Sequence, residues 1–516
     1  MKLSRQDFLK LLQQCAVALP AASLLRPQAY SSSNKHDKFL LYIHFGSADG
    51  LTTGMIQPQE VVVDGASANF SQVGKWPQGL FWENNTILES SKYFGTAKGG
   101  QSINPNVNLH YKDGKLIFNE YSKVLQPIKD HLCMAVGNAR SLAHQDAASF
   151  QITGNRFGSD SGTWVAKLAQ ATSASGSANV VFSPKIGSQA SVYTQIFSSK
   201  GAANDKVALI SADSLDEIAA VLSDAEGIPA ADGDALRYWD ILKKLNSSGG
   251  RYQSTRQSAN FYIDNLLTGA DEFAATSSMR REIEASINMD KCKELLTASS
   301  LPNGKVCDIP SYIYTNNTAL AMLKDLQLAA GLAISKKAKG MLMSFGEHDA
   351  HGGGSSINVP RHASVLYAGV RLLWELIKSH NLQDKVMIII SHDFTRTAYN
   401  GRENASNPHS ITYRTPSGLQ QMQLYPHGND HLQAMAMLFI NANVPAASRI
   451  GGIHDNYTAF ASDDSSGIPN TAVAPYTSND LVGTMLMRCF SDLFNNVSST
   501  REFLPDFDQP IAWLLK

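Results

Sequence analysis

Five short segments of the chain concentrate carboxylates and imidazoles in patterns able to do chemistry. They are Gly46-Ser47-Ala48-Asp49-Gly50, Arg140-Ser141-Leu142-Ala143-His144-Gln145-Asp146, Glu347-His348-Asp349-Ala350-His351, Ser391-His392-Asp393-Phe394-Thr395-Arg396-Thr397 and His427-Gly428-Asn429-Asp430-His431. Asp and His are the oxygen and nitrogen donors that hold divalent ions, and a carboxylate also supplies neutralising charge. Two ions about 4 Å apart clamp the attacking and leaving oxygens of a phosphoryl or sulfuryl transfer. Each segment also has a plainer reading. Asp49-Gly50 makes a turn, His348 to His351 a solvated loop, and His144 a polar helix start. The force of the pattern lies in what precedes each segment.

Four of the segments follow a short apolar run rich in β-formers, and the last precedes one. The runs are 38–45, 131–136, 340–345, 385–390 and 434–440, each of a length and composition that predicts a buried strand. An amphipathic helix is expected over 361–380, with Val365, Leu366, Val370, Leu372, Leu373, Leu376 and Ile377 on its apolar face. A second helix is expected over 319–337, leading into the run at 340. Strand, helix and strand in this order form a βαβ unit and hence a parallel sheet. In such a sheet ligands bind beyond the carboxyl ends of the strands, where these loops would meet. Ser214-Leu215-Asp216-Glu217 starts a helix near 214–223. The stretch from about 210 to 310 reads as a helical insertion or cap. Residues 53–125 read as a long irregular excursion, and Trp76, Phe81 and Trp82 within it are either packing or a sugar-stacking patch.

Composition narrows the setting. With 44 Lys plus Arg against 45 Asp plus Glu, no net field draws nucleic acid or anionic lipid. Residues 1–30 read as an export signal: Lys2 and Arg5, then an apolar stretch from Phe8 to Leu25 with Ala21, Ala22 and Ser23 as a cleavage site. Ser4-Arg5-Gln6-Asp7-Phe8-Leu9-Lys10 is similar to the twin-arginine pattern with Gln6 for the second arginine, which leaves the twin-arginine and general secretory routes both open. Residues 31–37 are a linker, and 38–516 the main domain. No later segment offers the roughly 20 uninterrupted apolar residues of a membrane span. Export permits disulfides. Cys292 and Cys307 are either a disulfide pair or two buried thiols.

In order, these motifs resemble the exported domain-of-unknown-function 1501 family, a branch of the alkaline phosphatase and sulfatase superfamily. Gly46 to Leu51 is similar to its Gly-Gly-x-Asp-Gly-Leu turn, and Ala143-His144-Gln145-Asp146-Ala147 with Thr153-Gly154 to its Ser-His-x-x-Ala and Thr-Gly segments. Gly162-Thr163-Trp164 is similar to Gly-Trp, Asp349-Ala350-His351 to Asp-x-His, Ser391 to Thr397 to Ser-Glu-Phe-Gly-Arg-Thr, and Asp430-His431 to the closing Asp-His. The resemblance spans about residues 38–450. It implies a doubly wound, mostly parallel α/β sheet of the alkaline-phosphatase-like kind carrying one or two divalent ions (zinc, calcium or manganese). Asp49, Asp349, His351, Asp393, and Asp430 or His431 would be ligands, with His392 a further ligand or an orienting group. Arg396 would hold an anionic substrate group or form a structural salt bridge, and His144 would help stabilise the anion. The implied activity is hydrolysis of phosphate or sulfate esters in the periplasm or outside the cell. Relatives carry Ser where Ala143 stands, and only Ser141 and Thr153 nearby are candidates for the nucleophile, so a non-catalytic surface, binding or assembly protein is the alternative.

Overall fold

The computed structural model describes residues 37–49, 61–63, 66–68, 96–97, 101–102, 110–113, 116–119, 122–157, 162–172, 178–183, 207–211, 279–299, 309, 311–336, 338–345, 355–396, 409–415, 418–424, 431–432, 434–453, 459–462, 469–470, 474–497, 500, 507 and 510–515. Among the described residues the main sheet has nine strands, eight of them in one continuous path and the short His431–Leu432 pairing off it. The eight are β1 Phe39–Asp49, β2 Leu132–Asn138, β3 Ala178–Ser183, β4 Val207–Ser211, β5 Gly340–Phe345, β6 Val386–Arg396, β7 Ala434–Ile440 and β8 Ser448–Ile450. Their order across the sheet is β4-β3-β5-β1-β6-β7-β2-β8. The run from β4 to β6 is parallel throughout. β7 is antiparallel to both β6 and β2, and β8 is parallel to β2. The sheet is therefore mixed, and the expected fifth strand is the one that runs backwards.

β1 and β6 sit at the centre because both faces of each can be buried. Alternation sends Phe39, Leu41, Ile43 and Phe45 into one apolar layer and Leu40 and Tyr42 into the other. Helices that complete the first layer include α3 Met289–Ala298, α4 Asn317–Ser335 and α5 Ser355–Ser379. The second is completed by α1 His144–Thr153, α2 Trp164–Thr172 and α6 Ser478–Cys489. The helix expected over 361–380 begins six residues earlier, at Ser355. α4 is long and apolar enough to cross a membrane, yet 61% of its apolar window is buried within the protein, with Leu323, Leu326, Ala329 and Ala330 in the first layer.

Local chemistry fixes the helix ends that matter for the sheet edge. α6 starts in a capping box, with Thr477 and Asp480 satisfying each other's backbone amides. α1 ends at Gly154, whose φ of +79° lies in the left-handed region that glycine adopts without strain. Gly340 opens β5 where a Cβ would lie 2.3 Å from a Val165 methyl and 2.5 Å from the Leu40 carbonyl oxygen. Only glycine lets α2 approach the sheet that closely.

Of the expected Cys292–Cys307 pair, only Cys292 is described, and it is a free thiol. It is buried in the first apolar layer on α3, where desolvation pushes it up to about 12. Cys307, the helix expected near 214–223, and Trp76, Phe81 and Trp82 lie outside the described residues. Of the stretch 210–310, residues 279–286 and 289–298 are helical.

Candidate functional site

The sheet topology brings the chemistry-bearing segments to one edge. β1, β2, β5 and β6 run in the same direction, so Asp49, the segment after Asn138, the β5 end at Phe345 and the Asp393 to Arg396 stretch all lie at the same edge. β7 runs the other way, so the residues before Ala434 enter from that side too. Backbone pairing tightens this grouping. Asp49 is in register with Phe394, and Arg396 pairs with His431 of the short antiparallel strand His431–Leu432. Asp349, His351 and Asp430 lie outside the described residues. The side chains of Asp49, Arg396 and His431 do as well, so only their backbone places are fixed.

Asp393 is the centre of what is described. Its carboxylate is fully buried, and both oxygens are engaged. His44 Nε2 lies 2.7 Å from Oδ1, and His144 Nδ1 lies 2.7 Å from Oδ2. Burial alone would push the carboxyl up. The hydrogen bonds from His144 and His44 more than offset this and hold it well below the usual carboxylate range. Asp393 is thus a buried anion at neutral pH, stable there because two N–H donors meet it.

Each partner is placed by its element. His144 is the first residue of α1, after Ala143 in extended conformation. Its ring also lies 4.7 Å, centroid to centroid, from Phe394. His144 is 14% exposed, the outermost of the group. His44 comes from inside β1 and is in register with Ser391, whose Oγ lies 2.9 Å from its Nδ1. Beneath them Tyr42 lies within hydrogen-bond reach of Ser391 and donates to the Gln151 carbonyl at 2.5 Å, its phenol driven far up by burial. His44 was not singled out by the sequence. Its signal was an imidazole inside an apolar strand, where a buried polar ring must find partners.

His392 is placed differently from its neighbour. The β6–β7 ladder pairs Ser391 with Met437 and goes no further. His392 takes the next rung: its Nε2 accepts the Ala436 N–H at 3.1 Å and its Nδ1 donates to the Phe394 carbonyl at 3.2 Å. Desolvation pushes its pKa down to about 3, so the ring is neutral. With both nitrogens used by backbone groups, it offers no lone pair to an ion in this arrangement and serves the sheet.

The donor set can be weighed for a divalent ion. Among the described residues no group of three or more His, Cys, Asp or Glu side chains is arranged to hold one. Asp393 and His144 nevertheless fit such a role. A carboxylate oxygen that accepts one N–H retains a second lone pair. A ring whose Nδ1–H meets a carboxylate carries its lone pair on Nε2, the tautomer that metal-binding histidines adopt.

No protein-family model and no curated protein matches the chain. Among solved structures, Ps i-CgsB in complex with k-i-k-neocarrahexaose aligns over 92% of this chain and 75% of its own, at 10% identity and a TM-score of 0.28. The alkaline phosphatase from the Antarctic bacterium TAB5 aligns over 80% of this chain and 94% of its own, at 9% identity and a TM-score of 0.28. A variant of that phosphatase with magnesium bound gives 9% identity and a TM-score of 0.29. Likeness at this level fixes neither a family nor an activity.

Proposed function

We propose that the chain is an exported, metal-dependent hydrolase of phosphate or sulfate esters on an alkaline-phosphatase-like, doubly wound fold. The observation that carries this reading is Asp393. A carboxylate kept ionised in a fully buried position, joined to His144 at the edge where the acidic and imidazole segments leave the sheet, is the environment a cation site requires. Asp393 and His144 would hold the ion, with Asp49, Asp349, His351, Asp430 and His431 as the remaining donors. Bound zinc, calcium or manganese would polarise an ester oxygen and lower the pKa of a hydroxyl or water. Arg396, whose backbone pairs with His431, would receive the anionic group of the substrate. Residues 1–30 would direct export to the periplasm or beyond, and residues 38–516 would form the domain, with about 210–310 as its cap.

A second reading has its own observation. Both Asp393 oxygens are already used by imidazoles, both His392 nitrogens by backbone, and Ala143 stands where a serine would precede His144. A surface, binding or assembly protein that kept the scaffold would have such a closed hydrogen-bonded cluster.

Metal content by mass spectrometry, on protein from its native compartment and on an Asp349→Ala, Asp393→Ala double variant, separates the two. About one or two equivalents, lost in the variant and accompanied by turnover of aryl phosphate or sulfate esters, is the expected result. No metal after supplying zinc, calcium and manganese would sink the hydrolase and leave the scaffold reading.

A further inference from the structure

We infer that His44 is a positioning residue: from inside β1 it sets the Asp393 carboxylate and, through it, the ring of His144. The inference rests on the reading that Asp393 and His144 are working members of the site.

Three observations lead to it. His44 is held at both ends, by Ser391 Oγ at 2.9 Å and Asp393 Oδ1 at 2.7 Å, in a position with no exposed surface. Rotating its ring would break two buried bonds, each costly to leave unmade. An ionised carboxylate can only accept, so Nε2 carries a proton whichever partner holds the hydrogen between Nδ1 and Oγ. With Oδ1 taken, the carboxylate plane is fixed and Oδ2 is left for His144 Nδ1 at 2.7 Å. Ser391, His44, Asp393 and His144 form one line of hydrogen bonds, running from a strand interior to a partly exposed ring.

A plain structural role predicts something else. If His44 only neutralised a buried charge, its loss would lower stability and leave the His144 ring in the same protonation pattern. If it positions, the effect reaches His144 two bonds away. The pair His44→Asn and His44→Gln separates these outcomes. Both are neutral amides, but the asparagine amide reaches only as far as Nδ1, whereas the glutamine amide reaches the place of Nε2.

The experiment uses full-length, metal-free protein labelled with 15N-histidine, the His144 signals being assigned by their loss in His144→Gln. Wild type should show His144 protonated on Nδ1 with a slowly exchanging ring proton. His44→Asn should lose that slow exchange and mix the tautomers, and His44→Gln should keep both. In chelator competition, zinc affinity should fall about tenfold or more in His44→Asn and little in His44→Gln. His144 signals identical in wild type and folded His44→Asn would overturn the inference. A wild-type protein that shows the His144 signature and the Asn–Gln contrast but binds none of zinc, calcium and manganese would sink the proposed hydrolase and leave the positioning role in place.

Discussion

Toward α4 and α5, β1 and β6 present Phe39, Leu41, Ile43 and Phe45 beside Ile388 and Ile390, all apolar and buried. Toward α1 and α2 the same two strands present Leu40, Met387 and Ile389, and then Tyr42, His44, Ser391 and Asp393 near the carboxyl edge. Both faces are equally dry. One is held by transfer and packing, which are indifferent to pH. The other is held by a buried charge that is favourable only while it is ionised and met by donors. The difference shows where the strand pair stops being scaffold and becomes site.

The largest test breaks each face in its own way. Ile388→Ala should cost about 2–5 kcal/mol from lost transfer energy and the cavity left behind, and the loss should be the same at every pH. Asp393→Ala leaves the buried His44 ring and the partly exposed His144 ring without their acceptor and should cost about 3–5 kcal/mol near pH 7. That loss should shrink in acid. The folded carboxyl is held below its unfolded range, so the unfolded chain takes up a proton first as pH falls through about 4. The contribution of Asp393 is therefore present above that range and fades below it, and wild type converges on the variant. Denaturant midpoints of metal-free protein at several pH values would show it. A parallel offset for both variants at all pH values would mean that Asp393 is held by packing alone.

Much of this arrangement could be read in the chain, and the misses have physical causes. The five apolar runs became β1, β2, β5, β6 and β7 because a strand buried on both faces needs continuous apolar residues. Their direction was not legible: β7 reads like the others yet runs antiparallel, since an apolar run carries no polarity. β3 and β4, Ala178–Ser183 and Val207–Ser211, were missed because five or six residues bounded by serine and alanine give little signal. At the site, Asp393 and His144 were named and do meet. His44 was read as part of its strand, and His392, from the family resemblance, as a further ligand or an orienting group. Alternation held the better answer. His44 shares a face with Tyr42, and His392 falls on the opposite parity from Ser391 and Asp393.

That parity difference can be tested by titration. His392 is neutral when folded, pushed down to about 3 mainly by desolvation. Its unfolded counterpart takes up a proton near 6.5. Stability from this residue is therefore complete above about 6.5 and lost as pH falls toward 3, at up to about 1.4 kcal/mol per pH unit. His392→Gln places a neutral amide oxygen where Ala436 N–H can still find an acceptor. The variant should remove that part of the slope while changing stability little at pH 8. A slope unchanged in His392→Gln would mean that the ring is protonated in the fold, and that its two backbone bonds are not those of a neutral imidazole.

The smallest effect makes the finest cut, because two serines flank His44 at the same level of the sheet. Ser391 of β6 and Ser344 of β5 are both in register with it, and both are buried. Ser391 Oγ bonds the His44 ring, whereas Ser344 Oγ has no hydrogen-bond partner among the described residues. Ser391→Ala should thus cost about 0.5–1.5 kcal/mol, the net worth of a buried hydrogen bond. Ser344→Ala removes a hydroxyl that was desolvated without compensation, so it should be neutral or stabilising by up to about 1 kcal/mol. Equal costs for the two variants would place Ser344 inside the polar line with His44 and widen the site by one strand. Unequal costs in the expected sense would confine the line to β1 and β6, with β5 contributing scaffold up to Phe345.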